Sequence, residues 1–200
     1  MREFKYSEIL ETNILDKFDD QYRNQISELK LCEENGYFID VKKICEIIGI
    51  KIEKGDPFGE FDVSDSGHYD DKKNIITVNP LDHSNRERFT IAHELGHALL
   101  GHEGKSFRSA SNEKYKDIIA KMKETSANKF AAELLMPKKL VKALIIKELK
   151  DKDKTDHFLS TFEYESLIEK ISSKLQVSKE ALSISIKNYN LIKRSNNGNL

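Results

Sequence analysis

The chain has 200 residues, enough for one catalytic core and a small appended subdomain but not for two large independent domains. With 38% hydrophobic residues, 34% charged and only three prolines, the composition is that of a water-soluble, helix-rich globular protein and excludes a disordered or fibrous one. Lys plus Arg (33) nearly cancel Asp plus Glu (34), so no overall field draws the molecule to DNA or an anionic membrane, and any nucleic-acid role must be local.

The opening Met-Arg-Glu-Phe-Lys-Tyr-Ser-Glu interleaves charges with single apolar residues and contains no apolar signal-peptide core. No apolar run of membrane length follows, so a cytoplasmic protein without a membrane segment is expected. Residues 1–35 carry a helix-like stripe, Ile9, Leu10, Ile14, Leu15 and Phe18, continued by Tyr22, Ile26 and Leu29, which reads as an N-terminal helical extension. Asp40 is placed to cap a short helix, Val41 to Ile48, that Gly49 stops, and a strand from Ile50 to Glu53 should follow. Cys32 and Cys45, the two cysteines, have no Cys-x-x-Cys spacing and suggest reduced thiols rather than a disulfide framework or zinc cluster.

Between Gly55 and Pro80 two β-type runs, 59–63 and 74–78, are separated by turn-forming residues and predict a small antiparallel sheet. Ser84-Asn85-Arg86-Glu87 has the form of a capping box and opens a largely buried helix from about Asn85 to Leu100, with Gly101 at its end. A second helix, roughly Tyr115 to Met136, is closed by Pro137, which can start a third through Leu149. The charged run at 150–154 is a solvated link. Two short helices around a turn at 175–178 follow, and the tail at 196–199 is expected to fray.

The chemistry concentrates in the helix at 85–100. His93 and His97, four apart, project from one face a turn apart, so both imidazoles can converge on a tetrahedral ion. Glu94 points about 100° around the axis and can reach a water in the ion's open position as general base. Gly96 disfavours the helix by about 1 kcal/mol relative to alanine, which implies close approach of a strand or a substrate. The long metzincin pattern fails, because Leu100 and Glu103 stand where glycine and histidine are needed.

A third ligand is usually a carboxylate on the next helix. Glu124 and Asn128 lie one turn apart there, whereas Glu133 faces away. Ala127 and Ala131 share the Glu124 face and permit close packing, which favours Glu124; composition alone favours a solvated side chain in so lysine-rich a helix, and the residues leave both readings open. Asn128 is placed to orient a metal-bound histidine. His102 is too far round the helix to be a ligand, and His68, Tyr69 and Tyr115 are available polar groups for an oxyanion, each more simply explained as structural.

The segment Arg88 to His102, the downstream Glu124-x-x-Ala127-Asn128-x-Phe130-Ala131-Ala132-Glu133-Leu134-Leu135-Met136-Pro137 and the upstream Ile75 to Asn79 resemble the ImmA/IrrE family of metallopeptidases over about residues 38–190. The resemblance implies an α+β fold: a mainly helical, zincin-like core at 36–155 with a small antiparallel sheet, and a C-terminal helical, helix-turn-helix-like subdomain at 156–200. It also implies a cytoplasmic zinc endopeptidase, with Mn²⁺ as an alternative ion, that cuts a partner helix-turn-helix repressor in a mobile-element or stress response. The third ligand then maps onto Glu124. Ser126 stands where the family often has Glu or Gln, which suggests that it does not touch the ion.

Two other readings compete. A non-proteolytic regulator that binds a repressor or DNA is suggested by the turn at Leu175-Gln176-Val177-Ser178 and the nearby Lys174, Lys179, Lys187, Lys193 and Arg194. Direct DNA binding is not expected, since residues 179–187 offer few side chains for base edges. The toxin of a toxin–antitoxin pair is the other.

Overall fold

A computed structural model describes residues 3–32, 36–59, 61–101, 113–150 and 158–194. The first segment begins with strand β1 (Phe4–Lys5) and three short helices, α1 (Tyr6–Ile9), α2 (Thr12–Leu15) and α3 (Asp20–Ser27). Strand β2 (Lys30–Leu31) then returns to pair antiparallel with β1. The expected stripe is thus cut into pieces: Leu10 and Glu11 are extended, and the chain turns again at 16–18. Tyr6, Ile9, Ile14, Phe18 and Ile26 are nevertheless all buried in the same core as the rest of the molecule.

Local signals set the next helix, α4 (Val41–Ile48): Asp40 Oδ1 accepts from the Lys43 amide at 3.0 Å, and Gly49 leaves the helix with φ of 79°. Such a cap is worth about 1 kcal/mol. Val41, Ile44 and Cys45 face the core. Burial pushes the Cys45 thiol up to about 12, so it stays protonated and inert.

The sheet differs from expectation. It contains β3 (Lys51–Lys54), β4 (Gly67–Asp70) and β5 (Ile75–Val78) in the order β3-β5-β4. β5 is parallel to β3 and antiparallel to β4, so the sheet is mixed rather than purely antiparallel. Among the described residues of the strand expected at 59–63, namely 59 and 61–63, none is in a strand; the pairing strand is 67–70. Asp56 and Asp62 accept from the amides of Phe58 and Ser64, each at 2.9 Å, which commits that backbone to turns. Buried Asn79 holds the loop by donating to the carbonyls of Val63 and Asp65. Gly67, by contrast, suits a tight approach, since a Cβ there would come within 2.5 Å of the Thr77 carbonyl oxygen and 2.7 Å of Thr90 Cγ2. The β4–β5 turn is locally determined: Asp70 accepts from the amides of Lys72 and Lys73, and Asn74 takes the left-handed conformation.

Helix α5 (Ser84–Leu99) lies over this sheet, and α6 (Glu113–Leu135) packs along it. Its cap is His83, whose Nδ1 accepts from the Asn85 amide at 3.3 Å, and not the Ser84–Glu87 box. The helix starts one residue early, and Glu87 is buried toward Lys42 at 2.6 Å instead of reaching back to the cap. Helix α7 (Lys138–Lys150) follows Pro137. Strand β6 (Phe158–Leu159), helix α8 (Thr161–Leu175), helix α9 (Lys179–Asn188) and strand β7 (Lys193–Arg194) complete the described chain. Ser160 and Ser178 cap α8 and α9, and Gln176 makes the turn between them in the left-handed region. The α+β class holds, and Leu167, Ile171, Leu175, Leu182 and Ile186 join the same core as α5 and α6.

Candidate metal centre

Helix α5 divides into two faces. Ile91, Ala92, Leu95 and Gly96 are buried, while His93, Glu94 and His97 line a cleft of about 760 Å³ between β4 and α6. Gly96 explains how α6 comes so close: a Cβ there would meet Phe130 at 3.0 Å and the Ala127 backbone at 3.3 Å. The neighbour is therefore a helix, not the strand or substrate expected. Ala127 and Ala131, both fully buried, continue this seam of small residues.

The seam brings Glu124 and Asn128 to the histidines. Glu124 carboxylate oxygens lie 3.3 Å from both His93 Nε2 and His97 Nε2, which are 3.0 Å apart. Asn128 Oδ1 stands 3.1 Å from His93 Nδ1. An amide oxygen only accepts, so His93 donates from Nδ1 and turns the Nε2 lone pair toward His97 and Glu124. One donor atom from each of His93, His97 and Glu124 falls within 4.8 Å of the others, a group able to hold a metal ion. Tetrahedral Zn²⁺ with bonds of about 2.0–2.2 Å needs donors roughly 3.3–3.5 Å apart, so the donor set fits such an ion with little adjustment.

The other residues singled out from sequence are distributed as follows. Glu94 faces the same cleft. Glu133 points elsewhere, toward Lys129 at 3.8 Å and Asn13 at 3.4 Å, and Ser126 is exposed. His68 and Tyr69 line the cleft from β4; His68 stacks on Phe61, and the Tyr69 hydroxyl donates to Asn74 at 2.8 Å. His102 and the Tyr115 side chain lie outside the described residues. Arg86 and Phe89 were missed. Both belong to the cleft, and their spacing to His93 and His97 along one helix face was the available signal. Arg86 donates to Ser66 Oγ at 2.9 Å, tying the first turn of α5 to the start of β4.

A buried cation completes the setting. Arg88 is only 7% exposed. It donates to the carbonyls of Ile39 (2.7 Å), Leu175 (2.9 Å) and Gln176, and lies over the Phe38 ring at 5.1 Å. Burial pulls its guanidinium down to about 10, and the charge of Asp40 opposes that shift, so it is protonated at neutral pH.

The peptidase family described as the IrrE N-terminal-like domain matches residues 45–187, well over half of the chain. The chain belongs to this family. Within IrrE-like proteins, it is 36% identical over 89 residues to the radiation response metalloprotease IrrE of Deinococcus deserti, covering 44% of this chain and 30% of the relative. It is 30% identical over 79 residues to that of Deinococcus radiodurans, covering 40% and 24%. The matched segments thus span less than a third of either relative's length. A solved Mycobacterium tuberculosis transcriptional regulator aligns over 70% of this chain and 37% of its own, with 15% identity and a TM-score of 0.47. The IrrE-like family implies a divalent metal, for which the His-His-Glu group supplies donors. Among the described residues no helix is long and apolar enough to cross a membrane.

Proposed function

We propose that the chain is a zinc-dependent endopeptidase in which His93, His97 and Glu124 hold the ion and Glu94 is the general base. The observation that carries this reading is the donor triangle, with edges of 3.0 and 3.3 Å, facing an open cleft that Glu94 also lines. When bound, Zn²⁺ supplies Lewis acidity toward a water molecule and the scissile carbonyl. The chain's own residues do the rest. Glu94 takes a proton from the attacking water on a carboxylate oxygen and passes it to the departing amide nitrogen as the C–N bond breaks; the hydroxyl stays on the carbonyl carbon. Asn128 keeps His93 in the tautomer that presents Nε2.

The substrate is a partner helix-turn-helix repressor in the cytoplasm, cut to relieve repression. Support comes from the two long motifs shared with the ImmA/IrrE family and from the radiation-response metalloprotease relatives. Residues 36–155 form the catalytic core and 156–200 an attached helical subdomain. Direct DNA contact by α9 is disfavoured, since Leu182, Ser185 and Ile186 are buried and Lys179 pairs with Glu169 at 3.0 Å.

Mixing the purified chain, Zn²⁺ and the cognate repressor should yield discrete fragments. Glu94→Gln should keep the ion, measured by elemental analysis, and slow cleavage by about 10²–10⁴-fold. Cleavage by that variant at the wild-type rate would show the assigned base to be wrong.

A further inference from the structure

A second cavity of about 590 Å³ opens beside the cleft. Phe89 of α5, Met136 after α6, Val177 of the turn and Ala181 and Ile184 of α9 form its apolar walls, with polar side chains such as Glu180 also on the lining. Arg86 and Phe89 border both cavities, so the two adjoin along the N-terminal half of α5. We propose that this second cavity is a specificity subsite that receives a bulky uncharged apolar side chain of the substrate polypeptide, a few residues from the scissile bond. The proposal rests on the peptidase reading of the cleft.

Adjacency sets the distance. The Phe89 ring stacks with the His93 ring at a centroid separation of 6.4 Å. An extended substrate with its scissile carbonyl at the donor triangle, advancing roughly 3.3 Å per residue, therefore passes Phe89 and enters the second cavity within about two to four residues. Wall chemistry sets the kind of side chain. Ile184 is 52% exposed on a helix whose Leu182 and Ile186 are buried, which leaves an aliphatic surface that an apolar residue would cover.

The wall is also held in place. Asn85 Nδ2 donates to the Val177 carbonyl at 3.2 Å, Arg88 grips the carbonyls of Leu175 and Gln176, and the Tyr189 hydroxyl donates to the Met136 carbonyl at 3.0 Å. All these contacts run to the catalytic helix or to the end of α6. A subsite whose walls are ordered before the substrate arrives loses little freedom on binding, which favours selectivity at that position.

The test uses the zinc-loaded full chain and a peptide mixture randomised around the cut, read by mass spectrometry. Wild type should enrich Leu, Met or Phe at one position two to four residues from the scissile bond. Ala181→Phe, which fills the cavity, should abolish that enrichment, raise KM for an apolar peptide about tenfold or more, and remove the difference in KM between that peptide and its glycine-substituted counterpart. Ile184→Glu, at an exposed position where folding is not at stake, should do the same. Fluorescence anisotropy of the labelled apolar peptide on Glu94→Gln, with and without Ala181→Phe, reads binding apart from turnover and should show the same tenfold loss. Unchanged profiles and affinities in the folded variants overturn the subsite while leaving the peptidase intact. A wild type that cuts no peptide yet binds them in an Ala181-dependent way would remove the peptidase reading and keep the cavity as a peptide site.

Discussion

On one side α5 meets α6 through Gly96 and Ala127, with only van der Waals distance between them; on the other it meets the α8–α9 turn through the long polar side chains of Arg88 and Asn85. The first contact works by missing volume and holds the two helices at the close separation that brings ion-binding atoms of both together. The second works by charge and donor count. It tolerates spacing changes better, but it fails when a partner is removed, because buried carbonyls are left without donors. Donor geometry and the attachment of the α8–α9 turn are thus separately encoded on one helix, and variants should separate them.

The largest effect is expected from Arg88→Met, which should destabilise the metal-free protein by about 3–5 kcal/mol in urea and leave the zinc affinity of the folded fraction unchanged. A parallel loss of zinc affinity would mean that the two contacts are not independent. Gly96→Val should cost about 1–3 kcal/mol through overpacking and, by pushing α6 away, weaken zinc binding more than tenfold in a chelator competition. Asn128→Ala, on the exposed side of the same seam, should weaken zinc binding about 10–100-fold with the urea midpoint of the metal-free protein hardly moved.

The smallest effect concerns the attachment of α8 to α7. Burial alone would raise Glu148, but the hydrogen bond and charge of Lys174 and the charge of Lys170 outweigh it and hold the carboxyl below its usual value. A depressed carboxylate stabilises the fold above its unfolded value of 4.5 and loses that contribution as pH falls through the folded one. Glu148→Gln should therefore lower stability by about 1 kcal/mol at neutral pH and flatten the acid limb of a melting-temperature profile; an unaltered slope would remove Glu148 from the account.

What was legible in the sequence was what neighbours in the chain decide. Asp40 and Gly49 bracket α4 through local hydrogen bonds and a left-handed residue, and the spacing of His93, Glu94 and His97 needs only helical geometry. The position of Asn128, one turn after Glu124, likewise needs only helical geometry to bring it beside His93. What escaped was decided by distant partners. The choice of 67–70 over 59–63 as the pairing strand depends on Gly67 fitting beside Thr90 and on Asn79 engaging the loop. Glu87 reads as half of a capping box until Lys42 is seen across from it. Gly96 signalled a close approach, but nothing local identified Ala127 as the neighbour.

Arg88 also bears on the order in which the protein can be completed during synthesis. Its acceptors lie 49 residues earlier, at Ile39, and 87 and 88 residues later, at Leu175 and Gln176. A nascent chain that has emerged only through α7 holds both histidines, Glu94 and Glu124, but its buried guanidinium has Ile39 alone of these three carbonyls. The anchoring of α5 through Arg88 is therefore complete only after the turn beyond α8 has left the ribosome, later than the synthesis of every residue of the donor triangle.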